Sequence, residues 1–173
     1  MASYDKALEF KPDDHDAWNN RGISLDNLGR YEEAIASYDK ALEFKPDKHE
    51  AWYNRGNSLR NLGRYEEAIA SYDKALEFKP DKHEAWYNRG ISLDNLGRYE
   101  EAIASYDKAL EFKPDKYDAW YNKACSYALQ GNINQAIANL QTAINLRPET
   151  VKEWVKTDSD FDAIREDVRF QSL

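Results

Sequence analysis

The sequence predicts an all-α solenoid of stacked antiparallel helix pairs, and two observations predict it. All five Trp and all five Pro of the 173 residues fall on one ruler: Trp18, Trp52, Trp86, Trp120 and Trp154, with Pro12, Pro46, Pro80, Pro114 and Pro148, each series stepping by 34. Such regularity marks a tandem array, because an irregular single core does not space its rarest residues evenly. Composition agrees: 42% apolar and 13% aromatic residues give enough to bury, yet the mean hydropathy of -0.90 is low for a compact sphere. An elongated stack reconciles the two, since its surface stays large while aromatic residues fill the seams between repeats.

The first element, residues 1–14, reads as the second helix of an incomplete repeat, so one side of Tyr4, Leu8 and Phe10 lacks the helix that should cover it. Four complete units follow at 15–48, 49–82, 83–116 and 117–150, the middle two differing only at Asn57 against Ile91 and Arg60 against Asp94. In the second unit Trp52, Arg55, Gly56 and Leu59 recur at helical spacing and stop at Gly63, which suits a left-handed helix cap. A second helix starts at Tyr65-Glu66-Glu67, whose acids favour a helix N-terminus. It continues through Ala68, Ile69, Tyr72, Ala75, Leu76 and Phe78 and is closed by Pro80. Helices of about 14 residues are marginal alone in water, so stacking must stabilise them, with Gly56 and Ala68 letting helices approach and the large residues filling the space around. Residues 151–173 form a C-terminal cap: Trp154 opens one more first helix, and Phe161, Ile164, Val168, Phe170 and Leu173 provide a lid over the last seam.

These units resemble the tetratricopeptide repeat, whose pattern stands here as Trp52, Arg55, Gly56, Leu59, Ala68, Tyr72, Ala75 and Pro80. The match covers residues 2–150, departing at Arg21, Arg55 and Arg89, where the pattern has Leu, at Leu25, Leu59 and Leu93, where it has Tyr, and in a looser last unit. The tail resembles those that close bacterial members of the family. The resemblance implies a right-handed superhelix whose first helices line the concave surface, and a protein-protein interaction scaffold as the function. Self-assembly through the incomplete N-terminal repeat is the alternative.

On a helical wheel Trp52, Arg55, Gly56 and Leu59 take one side, leaving the opposite stripe as the candidate groove. The candidate peptide-binding residues on it are Asn20, Asn54, Asn88 and Asn122, the tyrosines Tyr53, Tyr87 and Tyr121, and Asn57, Arg60, Asn61, Ile91, Asp94 and Asn95. An amide column both donates and accepts, and so matches the backbone of an extended peptide of any sequence; the same residues also read as solvated helix surface. At about 0.5–1.5 kcal/mol net per hydrogen bond, the expected affinity is weak to micromolar. The two positions that separate the near-identical units both fall on this stripe, which suits a recognition surface. The family's clamp for chaperone C-termini is missing, because its basic positions hold Tyr53, Asp118 and Asn122. Asp16, Glu50, Glu84 and Asp118 on the rim, with Asp26 and Asp94 deeper, point to a neutral or basic partner rather than an acidic one.

Other classes drop out. A net charge of -8 offers no source for the counterion release that drives nucleic-acid binding. No apolar run approaches a membrane span, and one cysteine, Cys125, with no signal peptide, fits a cytoplasmic location. No phosphate loop, nucleophile-base pair or metal set supports an enzyme or a cofactor. His15, His49 and His83 sit one per repeat, too far apart to share an ion; Cys125 reads as a small apolar groove residue. Arg21, Arg55 and Arg89 are expected to cover the seams and pair with acids of a neighbouring helix.

Overall fold

Residues 2–173 are described by a computed structural model; Met1 of the 1–14 segment lies outside them. All its regular elements are helices. Helix α1 (Ala2–Phe10) precedes the pairs α2 (His15–Asp26) and α3 (Tyr31–Phe44), α4 (His49–Asn61) and α5 (Tyr65–Phe78), α6 (His83–Asn95) and α7 (Tyr99–Phe112), and α8 (Tyr117–Leu129) and α9 (Ile133–Leu146). Helix α10 (Pro148–Thr157), a 3-10 turn (Ser159–Ile164) and α11 (Val168–Gln171) close the chain. No helix of the described residues is long and apolar enough to cross a membrane.

Each turn inside a pair is set by one glycine. Gly63 has φ of 74°, Arg64 N–H donates to the Leu59 carbonyl, and Gly63 N–H donates to the Arg60 carbonyl. This double closure satisfies the last carbonyls of α4 and turns the chain directly into α5. A different glycine sets how closely the two helices approach. A Cβ at Gly56 would lie 2.6 Å from the Tyr72 ring, so the absence of a side chain lets that ring lie flat against the backbone of α4.

Between pairs, the two rulers of the sequence are physically joined. The indole N–H groups of Trp18, Trp52, Trp86 and Trp120 donate to the carbonyls of Pro12, Pro46, Pro80 and Pro114 at 2.8–2.9 Å. Pro148 departs from the expectation that each proline closes a repeat and that the last helix opens at Trp154. It is the first residue of α10, a position that its missing N–H and fixed φ favour, and Glu149 follows where the other units have the turn-forming Asp. With both residues in one helix, Trp154 stacks instead on Tyr117 at 5.7 Å.

Arginines lock adjacent repeats. Arg55 donates to Ser71 of its own second helix and to Asp39 of the preceding one, both at 2.7 Å, and Arg21 and Arg89 repeat the arrangement. Successive first helices approach one another more closely than successive second helices do. The stack therefore curves with α2, α4, α6 and α8 on the inside.

Candidate functional site

The inner face carries the amide column, but half of its hydrogen-bonding capacity is already committed. Asn54 donates to Asn19 at 3.2 Å, Asn88 to Tyr53 at 3.1 Å and Asn57 at 2.9 Å, and Asn122 to Tyr87 at 3.2 Å. Each amide N–H2 thus reaches back to the preceding repeat. Among the described residues no donor reaches the side-chain amide oxygens (Oδ1) of Asn54, Asn88 or Asn122, which leaves a column of acceptors rather than the donor-acceptor ladder expected. Asn20, Asn61 and Asn95 are exposed, and Asn95 donates to its own helix at the Ile91 carbonyl.

The tyrosines are likewise engaged. Lys82 lies 4.4 Å above the Tyr53 ring and Lys116 4.0 Å above the Tyr87 ring, a cation-π contact that covers the face a ligand would use. Tyr121 is largely buried at the end of the groove: it is 6% exposed, its hydroxyl donates to Asp158, and Trp154 and Phe161 pack edge-on against it. The cap has folded over it. Leu8, expected at a self-association edge, is buried within the chain, and Tyr4 is half-buried. Phe10, at 90% exposure, is what α1 leaves open.

The two positions that distinguish the near-identical units have a shared structural duty. In the first and third units the buried Tyr38 and Tyr106 donate to Asp26 and Asp94, and these carboxylates also accept from Ser58 and Ser126 of the following repeat. In the second unit Arg60 occupies the aspartate position, and Tyr72 donates to Asn57 instead, at 2.9 Å. Each pair, Ile with Asp or Asn with Arg, supplies one acceptor to a buried hydroxyl. Half-buried Ile91 fills the space that Asn57 occupies one repeat earlier.

Charge on the inner face is sparse and local. The rim acids are paired with turn lysines: Asp16 with Lys48 at 2.7 Å, Glu50 with Lys48 at 3.9 Å, Glu84 with Lys82 at 3.6 Å and Asp118 with Lys116 at 3.0 Å. A stronger feature lies at the C-terminal end, where a cavity of about 380 Å³ is lined by Ile91, Asp94, Asn95, Tyr99, Tyr106, Tyr121, Asn122, Cys125, Leu129, Asp158 and Asp160. Burial lifts the Asp94 carboxyl to about 6 against the hydrogen bonds from Tyr106 and Ser126. Burial and then the neighbouring Asp158 raise Asp160, and burial with the surrounding carboxylates pushes the Cys125 thiol well up.

Cys125, Asp158 and Asp160 place ligand-type atoms within 4.8 Å of one another, whereas the three histidines stay one per repeat. Asp158 already has structural work there, accepting the Asp160 N–H at the start of the 3-10 turn and the Tyr121 hydroxyl. Sequence reasoning missed this group, although Asp158-Ser159-Asp160 ahead of Phe161 is a legible capping signal.

The tetratricopeptide repeat family matches residues 22–83 and 53–119, and two further patterns of the same repeat match 3–36 and 117–149. No curated protein sequence matches. Among solved structures, the crystal structure of MamA superposes at a TM-score of 0.82 with 23% identity, over 86% of this chain and 87% of that one. A MamA chain from Desulfovibrio magneticus RS-1 gives 0.80 at 21% identity, over 84% and 82%. MamA of AMB-1 gives 0.70 at 26% identity, over 77% and 78%. With the repeat pattern matched across more than half its length and the same stacked helix pairs, the chain belongs to the tetratricopeptide repeat family, whose members are protein-interaction scaffolds.

Proposed function

We propose that the inner face holds an extended segment of a partner protein, whose backbone N–H groups donate to the side-chain amide oxygens of Asn54, Asn88 and Asn122. The observation that carries this reading is the uniform orientation of the column, each amide fixed by its N–H2 group to the preceding repeat and left with an acceptor. Neighbouring helices lie about 10 Å apart, roughly three residues of extended chain at about 3.3 Å each, so one contact in three registers with a repeat. Fixed acceptors need no reordering when the segment binds, which lowers the entropic penalty of association.

A peptide-display selection on the full chain supplies the ligand for the test. The Asn54→Ala, Asn88→Ala double variant is expected to bind the selected peptide at least about fivefold more weakly, about 1 kcal/mol, with helicity retained; unchanged affinity would remove the acceptor column as the binding element.

One observation favours a second reading, contact between copies through α1. Ala7 is exposed and Phe10 is 90% exposed, whereas their counterparts Ala41, Ala75 and Ala109 are fully buried and Phe44, Phe78 and Phe112 are 41–46% exposed.

A further inference from the structure

Arg60 stands out on the inner face. Of the seven other arginines of the repeats, six hold a carboxylate, three an aspartate of the preceding second helix and three a glutamate in the first turn of the helix that follows, and Arg147 lies over the Tyr117 ring. Arg60 forms no ion pair with any carboxylate of the described residues, and its Nε is buried without an acceptor. A guanidinium can accept nothing, and the neighbour that shares its field is the Tyr72 hydroxyl rather than a carboxylate, so an incoming acidic group would supply the counter-charge it lacks. Its counterparts Asp26 and Asp94 give the first and third units the opposite sign, and those carboxylates are held by Tyr and Ser hydroxyls rather than by Arg60.

One repeat further on, the C-terminal cavity has the converse deficit. Asp94, Asp158 and Asp160 converge on it and no Lys, Arg or His lines it. Ile91, Tyr99 and Leu129 supply apolar wall, which suits the methylene stem of a long basic side chain whose charged end meets the carboxylates.

Resting on the groove reading above, we propose that the bound segment carries an acidic side chain paired with Arg60 and, about three residues along, a basic side chain that enters the Asp94–Asp158–Asp160 cavity. The two halves are independent: one is a cation without a carboxylate in mid-groove, the other an anionic cavity without a cation at its end. Together they select a segment of mixed sign, where neither an acidic nor a basic run fits both points. They also set the register of a ligand that the acceptor column alone would let slide.

The test measures fluorescence anisotropy at low salt, where such pairs are least screened, with labelled dodecapeptides on a Gly-Ser-Ala background. The central motifs are Asp-x-x-Arg, Ala-x-x-Arg, Asp-x-x-Ala and Lys-x-x-Arg. The full chain is compared with Asp160→Asn, with the Asn57→Ile, Arg60→Asp double variant, and with the Asn54→Ala, Asn88→Ala variant. The second of these makes the second unit identical to the third, so its fold is already represented in the chain. Asp-x-x-Arg is expected to bind the unaltered chain about tenfold more tightly than Lys-x-x-Arg, near 1.4 kcal/mol, and the double variant to reverse that order. Asp160→Asn is expected to weaken only the Arg-bearing peptides. The same ranking in the unaltered chain and the double variant overturns the proposal, as does indifference to peptide charge. If such indifferent binding is still lost in the Asn54→Ala, Asn88→Ala variant, the groove reading survives and the charge pattern falls. If no peptide binds up to about 1 mM, an interaction near 4 kcal/mol, both fall.

Discussion

Replacing Phe161 by Ala is expected to detach the C-terminal cap at a cost of about 3–5 kcal/mol. Phe161 is fully buried, as is Val151, and Ile164 is 2% exposed; its ring meets Tyr121 at 5.7 Å and Phe170 at 5.6 Å. It sits in a six-residue 3-10 turn, a length that has little stability of its own. Around it Arg165 donates to the carbonyls of Val155, Lys156 and Asp158, so the turn is fixed at its rim and plugged by the ring. Without the plug the polar rim has nothing to close over, and Tyr121, Ala124 and Cys125 lose their cover. A repeat array is stabilised largely between neighbours, so the loss is expected as an early transition of the C-terminal pair in urea rather than as a uniform shift. The free thiol of Cys125, 7% exposed, is a built-in reporter. Its reaction with a thiol reagent should accelerate at urea concentrations where α2 to α5 remain protected from hydrogen exchange. An unshifted transition with Cys125 still slow to react would mean the ring does not hold the cap.

The local code of this chain was legible from sequence and the non-local code was not. Gly63, Tyr65 and Phe78 mark ends that depend on residues within one turn, and the helices stop where those residues say. Pro148 shows the limit: one residue type ends a helix when a turn follows and begins a helix when Glu149 and Thr150 follow. The wheel put Asn54, Asn88 and Asn122 on one stripe, yet could not reveal that their donors are taken, because the partners lie 31–35 residues away. The burial of Tyr121 was hidden for the same reason, its cover arriving from Asp158, 37 residues later. A periodic sequence states which face a residue occupies. What the next repeat does with that residue is written one period away.

The differences between the second and third units are the clearest case, and they yield the second large prediction. Asn57→Ile alone removes the acceptor of the Tyr72 hydroxyl, which is fully buried, and leaves beside it only Arg60, which cannot accept. An orphaned buried hydroxyl costs about 1–3 kcal/mol, and Asn88 loses one of its two acceptors in the same step. Adding Arg60→Asp restores what the flanking units already have: a carboxylate that takes the tyrosine hydroxyl on one oxygen and the next repeat's serine on the other, as Asp26 takes Tyr38 and Ser58. Ser92, which donates only to its own helix, then gains a partner. The double variant should therefore match or slightly exceed the unaltered chain in urea stability, although the first substitution alone destabilises it. The cycle should show a coupling of about 1–3 kcal/mol. Additive effects would mean that the paired change does not serve the tyrosine. A coupled result would show that a surface difference which reads as ligand recognition in the sequence is first a condition for stacking. The charge of Arg60 on the inner face would then follow from the choice of Asn57, the acceptor that leaves the neighbouring position free to carry a cation.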